Sequence, residues 1–296
     1  MKQIYSLLII IFFAAACCGA NNKPKTDIPV NTGALAEIES LPQNIRNIAS
    51  DVISSYNGWD IDTIVCIENS EQVSRFLVKG TSKENIDKRK MAVQLLSAGV
   101  ASDSAEVWSY VILQKLQKDK PFEMEMMYFP TGGTVLAYNA VKDTTKADDK
   151  TDVILMTKQD MKLRMVNLYD TTMFTVPMAT GKNAGDKKIS GDKKTPEGIF
   201  TVYAIHDASD WDYDFKDGKG RIKGTYGKYF IRFKENYHIG IHGTHLPETV
   251  GLRATEGCIR LTNENSEAIV PMVARSKTLM VVTPAMLDYE VDNPNK

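Results

Sequence analysis

Cysteine and histidine are both scarce in this chain, with four of each among 296 residues. The sequence contains no Cys-x-x-Cys pair and no His-Glu-x-x-His helix, so the usual frames for a zinc site are missing. Charge of one sign is missing too. Lys and Arg (36) balance Asp and Glu (37), and nothing recommends a nucleic-acid partner or a polyanionic surface. A long apolar run is also lacking. IYSLLIIIFFAAA, residues 4–16, falls short of the roughly 20 residues that a spanning helix needs. Apolar residues are nevertheless 43% of the chain, enough for a packed core in one large or two ordinary domains. No internal repeat is evident.

Lys2 and the apolar run after it read as a secretory signal over residues 1–17. Ala14, Ala15 and Ala16 before Cys17 resemble the lipobox of bacterial lipoproteins, whose cysteine is lipidated after cleavage. An ordinary cleaved signal is the alternative, and Cys18 is a second candidate for the lipid. Each buried acyl methylene contributes about 0.8 kcal/mol, so several chains on one cysteine anchor stably. Residues 18–39 then read as a polar tether. The expectation is an exported protein held at a membrane through Cys17.

Residues 40–142 read as a smaller α+β domain without a cluster of reactive groups. PQNIRNIASDVISSY (42–56) and ENIDKRKMAVQLLSAGV (84–100) look helical. Asp103 and Glu106 form a capping-box pattern before a third helix, with the apolar stripe Trp108, Val111, Ile112 and Leu116 facing a core. DTIVCIENS and SRFLVKG look like strands, and FEMEMMYF and TVLAYNAV flank the hairpin signal PTGG. Residues 143–150 form a polar linker. The segment 151–285 is mostly β, with short strands such as DVILMTK, KLRMVNLYD, KYFIRFK and HIGIHG, a helix at SEAIVPMVARS and a last strand at KTLMVVTP. That pattern predicts a sandwich-like or barrel-like sheet. Residues 286–296 read as a tail.

Three tempting motifs do not fit their chemistry. GDKKISGDKKT separates Gly185 from Gly191 by five residues and follows with Asp192, where a phosphate loop requires Lys. DWDYDFKDGKGR puts Asp210, Asp212 and Asp214 at calcium-loop positions. Phe215 stands where Gly is needed, and Arg221 where a bidentate Glu is needed. His238, His242 and His245 with a thiolate leave a zinc hydrolase as an alternative. Cys66, in an alternating stretch, reads as a small buried hydrophobe rather than a disulfide partner of Cys258.

The stretch GIHGTHLPETVGLRATEGCIRL (240–261) holds two of the histidines and Cys258. A thiol becomes a nucleophile when a base takes its proton or a cation holds the thiolate. His242 ends a strand-like run. Cys258 follows a loop with Pro247 and Gly251, long enough to fold back on it. Gly257 permits a tight turn that aims backbone N–H groups at an oxyanion. Arg260 shares a face with Cys258 if the segment is extended, and could clamp a carboxylate. A core cysteine beside a surface histidine is the bland alternative.

These residues resemble the L,D-transpeptidase catalytic domain, the YkuD-like family. The resemblance rests on ATGK (179–182), KTPEGIF (194–200), IHGT (241–244) and TEGCIR (255–260), in the family's order, and covers roughly 151–284. It implies a β-sandwich fold and action on peptidoglycan stem peptides without cofactor or metal. It implies Cys258 as nucleophile, His242 as base and the Gly243 carbonyl as orienter of the imidazole. Gly257 and Cys258 N–H groups then fall in the oxyanion hole and Arg260 on the floor of the motif, with Thr255 and Glu256 in the same motif as candidate substrate-binding residues; beside the resemblance, His245 could supply a further donor from the preceding loop. In the implied reaction Cys258 attacks the carbonyl of the L-centre of a diamino acid at stem position three and expels D-alanine. An acceptor amine, from another stem or a wall-attached protein, resolves the thioester in transfer, and water resolves it in hydrolysis. The family usually has His where this chain has Glu256. An ionised carboxylate there would repel thiolate and oxyanion; turned outward, or paired with Arg253 or Arg260, it would be harmless. Transfer, hydrolysis and a catalytically degenerate wall-binding module all stay open.

Overall fold

A computed structural model describes residues 52–97, 105–139, 151–168, 173–216, 218–234, 238–275 and 277–294. The expected signal, Cys17, the tether, most of the helix expected over 42–56 and the linker lie outside those residues. The chain divides into two compact units, residues 1–142 and 143–296.

Among its described residues the first unit carries six strands: β1 (Trp59–Asn69), β2 (Ser74–Ser82), β3 (Lys90–Ser97), β4 (Ala105–Ile112), β5 (Pro121–Phe129) and β6 (Thr134–Asn139). They form one sheet in the order β1-β2-β5-β6-β4-β3, antiparallel except for β4 beside β6. Two expectations are corrected here. Residues 90–97 of the segment read as a helix form β3, and the supposed helix after Asp103 is β4. Lys, Met, Ala, Gln and Leu in β3 favour helix intrinsically, and pairing with β4 overrides that preference. In β4, Val107, Trp108, Tyr110, Val111 and Ile112 are all buried, so both faces are covered and no alternation marks the strand. The stripe of Trp108, Val111, Ile112 and Leu116 does lie in the core, as expected. Cys66 is buried in β1 with a free thiol.

The second unit begins with β7 (Val153–Thr157), β8 (Lys162–Val166), β9 (Phe174–Pro177), β10 (Thr180–Gly181), β11 (Gly198–Thr201) and β12 (Ala204–Asp207). It continues with β13 (Asp212–Asp214), β14 (Arg221–Lys223), β15 (Tyr229–Lys234), β16 (Ile239–His242), β17 (Arg253–Thr255), β18 (Ile259–Arg260) and β19 (Leu279–Thr283). Helices α1 (Asn263–Ile269) and α2 (Met286–Asp292) complete it. Two sheets, β11-β19-β7-β8-β9 and β12-β15-β16-β18, share one apolar core. Met156, Leu163 and Val282 enter it from the first sheet, and Ile231, Ile241 and Ile259 from the second. Burying each such side chain contributes about 1.5–3 kcal/mol. The fold is therefore mostly β.

The helix expected at SEAIVPMVARS starts earlier. Thr262 caps it by accepting the Asn265 N–H at 3.2 Å, and its α-helical part ends at Ile269, just before Pro271. The expected tail is also corrected. Residues 286–292 are α2, and Asp288 on it is fully buried, bonded to Arg253 at 2.8 Å and near Lys158 at 3.7 Å. The DWDYDFKDGKGR stretch forms the β13–β14 hairpin, in which Arg221 Nε donates to Asp212 at 2.8 Å and Lys216 pairs with Asp214.

Candidate active site

The site is built on one strand pair. β16 and β18 run parallel, with Ile241 opposite Ile259 and His242 opposite Arg260. Side chains alternate across a sheet, so the two isoleucines turn into the core and His242 and Arg260 turn the other way together. Cys258 directly precedes β18, two residues from Arg260. All three line one cavity of about 290 Å³, with Lys187, Tyr213, Tyr226, Thr255 and Glu256 also on its wall.

The imidazole is tightly held. His242 is 3% exposed, and its Nδ1 lies 2.6 Å from the Gly243 carbonyl. A carbonyl only accepts, so Nδ1 carries the proton and Nε2 of the neutral ring is left as the acceptor. Phe230 stacks on the ring at 5.6 Å and Tyr226 meets it edge-on at 4.9 Å. Gly243 is closely packed: a Cβ there would sit 2.2 Å from Asn263 Oδ1, which accepts the Thr244 N–H at 2.7 Å. Burial pushes the imidazole down to about 4; the Gly243 bond opposes this and Arg260 adds to it.

The thiol is shifted the opposite way. Burial pushes Cys258 up to about 11, against a backbone hydrogen bond and the pull of Arg260 and Lys187. The resting pair is therefore a neutral thiol and a neutral imidazole. Arg260 is 4% exposed; its guanidinium donates to Thr249 Oγ1 at 2.8 Å, while Nε has no partner. That leaves donor capacity at the cavity for an anionic or carbonyl oxygen.

The turn that leads into Cys258 is held by two hydroxyls. Gly257 has φ +129°, and a Cβ would come 2.8 Å from the Lys194 carbonyl, so only glycine fits. Its N–H donates to Thr255 Oγ1 at 3.1 Å, and Thr255 Oγ1 donates to the Cys258 carbonyl at 2.7 Å. The Gly257 N–H, expected in an oxyanion hole, is engaged by Thr255 in this structure. The Gly257 carbonyl accepts from Thr195 Oγ1 at 2.9 Å.

Glu256 faces neither arginine considered from the sequence. Its carboxylate pairs with Lys182 at 2.8 Å and Lys193 at 3.5 Å, and Arg253 pairs with Asp288 instead. Burial alone would raise the Glu256 carboxyl, but the two lysines outweigh it and hold it below its usual range. His245 is not on the cavity wall; it packs near Phe215, with ring centroids 6.2 Å apart.

Lys187, Tyr226 and Thr195 were not foreseen as site residues. The GDKKISGDKKT loop turns around Asp192, which accepts from Lys187 Nζ at 2.6 Å and from the Lys188, Ile189 and Lys194 N–H groups. This turn brings Lys187, 5% exposed, onto the cavity wall. Only Thr195 carried a sequence signal, since it stands in the Thr-Pro-x-Gly turn. Among the described residues no three His, Cys, Asp or Glu side chains are grouped to hold a metal ion.

Comparison with known proteins finds one family match in this unit. Residues 151–282 match the YkuD family model, the L,D-transpeptidase catalytic domain. A Bacillus licheniformis protein provisionally named L,D-transpeptidase YkuD is 27% identical over 123 residues, 41% of this chain and 61% of that protein. The match thus spans less than two thirds of that relative. An L,D-transpeptidase from Mycobacterium smegmatis is similar over 70% of this chain and 90% of its own, at 14% identity and a TM-score of 0.36. The helical cell shape determining protein Pgp2 from Campylobacter jejuni (K307A mutant) is 26% identical over 47% of this chain and 48% of its own, with a TM-score of 0.37. The residues that match the family model lie within the second unit.

Proposed function

We propose that the second unit is a cysteine-dependent L,D-transpeptidase acting on peptidoglycan stem peptides in cell-wall remodelling, with Cys258 as nucleophile and His242 as general base. The observation that carries this reading is the shared cavity: His242, Cys258 and Arg260 line it together, on and beside one parallel strand pair. His242 Nε2 takes the thiol proton as Sγ attacks the substrate carbonyl, and the neutral resting pair means that the thiolate forms only in this step. Expulsion of the amine leaves a thioester. An acceptor amine turns that thioester into a cross-link, and water turns it into a trimmed stem. Arg260 meets a substrate oxygen at the cavity floor. Glu256, gripped by Lys182 and Lys193, is no obstacle to the thiolate. The signal over 1–17 and a lipid on Cys17 would put this chemistry outside the cytoplasmic membrane.

The test is to incubate the full chain with a defined tetrapeptide muropeptide and follow products by mass spectrometry. Wild type is expected to release D-alanine, with dimers in transfer or free tripeptide in hydrolysis. Cys258→Ser and His242→Ala are expected to lose about 10³-fold or more in rate. Muropeptide binding by a folded wild type, with no product and no change on Cys258→Ser, would replace the enzyme with a binding module.

A further inference from the structure

The peptide that joins Gly257 to Cys258 is gripped at its carbonyl. Thr195 Oγ1 donates to the Gly257 carbonyl at 2.9 Å and accepts the Gly181 N–H at 2.8 Å. One hydroxyl thus ties together the ATGK, KTPEGIF and TEGCIR segments. Thr195 is 1% exposed and is not on the cavity wall, so it draws this carbonyl away from the cavity. A trans peptide is planar, and its N–H points opposite to its C=O. No cis peptide occurs among the described residues. The N–H of this peptide belongs to Cys258, which does line the cavity.

The neighbouring amide is already engaged. Gly257 N–H donates to Thr255 Oγ1, so of the turn's two amides one is held by a side chain and the other is aimed by one. Resting on the acyl-transfer reading above, we propose that Thr195 is a positioning residue for the reaction: it aims the Cys258 N–H at the oxygen of the carbonyl under attack. The Cys258 N–H is then the backbone oxyanion donor of this turn, with no contribution from Gly257.

In the step it serves, Sγ bonds to the carbonyl carbon while His242 Nε2 takes the thiol proton. The carbonyl π pair moves onto oxygen, which accepts from the Cys258 N–H. Collapse re-forms the double bond and breaks the carbon–nitrogen bond. The departing amine keeps that electron pair and takes the proton back from His242.

The test compares the full chain with Thr195→Val, Thr195→Ala and Thr195→Ser in two reactions, each read on the Cys258 peptide. Iodoacetamide alkylation displaces iodide at a saturated carbon and builds no oxyanion. Acylation by a tetrapeptide muropeptide builds one. Valine and alanine are expected to leave alkylation within about twofold of wild type. They are expected to lower kcat for D-alanine release by about 100-fold with KM little changed, the loss typical of one oxyanion donor. Serine keeps the hydroxyl and is expected to restore the rate. Undiminished acylation in the Val variant overturns the proposal, as does a parallel loss of alkylation or a failure of Ser to rescue. Unfolding of both Val and Ala variants also overturns it, because Thr195 would then serve the fold and not the site. A wild type that is alkylated but never acylated would instead remove the acyl-transfer reading, and this proposal with it.

Discussion

Burial acts on the Cys258 thiol and the His242 imidazole in opposite directions, because it disfavours whichever form is charged. The thiol rises to about 11 and the imidazole falls to about 4, so both are neutral across the range between. Alkylation of Cys258 by iodoacetamide should therefore climb steadily with pH through neutrality. A plateau already reached near pH 7 would mean a preformed thiolate–imidazolium pair and would contradict this geometry. His242 also makes the fold acid-sensitive. Its folded value of about 4 lies below the unfolded value of about 6.5, so between them the unfolded chain binds more protons. The stabilising contribution is full above about 6.5 and is lost as pH falls through 4. The urea midpoint of wild type should drop over that window by more than that of His242→Asn. Glu256 is predicted to be quieter. The Cys258 thiol responds to Arg260 and Lys187, and Glu256 is spoken for by two lysines. Glu256→Gln should leave the alkylation profile unmoved and change stability by less than about 1 kcal/mol, as expected for partly exposed pairs.

Among the elements, α2 has the largest unexpected role. Lys158 is fully buried and is shared by Glu197 at 2.9 Å, Asp288 at 3.7 Å and the carbonyls of Gly185 and Thr195. Asp288 also accepts the Ala285 N–H at 3.0 Å and binds Arg253. Removing Asp288 takes the ion-pair partner from half-buried Arg253 and one of two carboxylates from buried Lys158, which costs about 3 kcal/mol. Urea unfolding of Asp288→Ala should show that loss, and a change below 1 kcal/mol would mean that the network relaxes around the gap. The sequence announced none of this, since seven residues with an acidic helix face give no sign of what they meet. Strands were legible where apolar and polar residues alternate or where a turn signal divides them, as in the β5–β6 hairpin around PTGG. They were illegible in β3, whose residues favour helix, and in β4, buried on both faces. The start of α1 was missed although Thr262 stands in the capping position.

At the scale of the whole molecule, the candidate site belongs to one of the two units. The site assembled here comes from residues 182 to 260 of the second unit alone. That Cys258, His242 and Arg260 belong together was legible because reactive residue types are few in this chain, and they do share one cavity. The charges and hydroxyls around them were not, because Lys182, Lys187, Lys193 and Thr195 reach the site through loop geometry that no spacing records. The most direct test of the account is the intact mass and peptide map of the full chain after brief exposure to a tetrapeptide muropeptide and acid quenching. Acyl transfer through Cys258 predicts a tripeptide stem in thioester linkage on that residue, with D-alanine released and no adduct on Cys258→Ser. A folded wild type whose Cys258 reacts with iodoacetamide yet never carries a thioester, with the muropeptide unchanged, would contradict it.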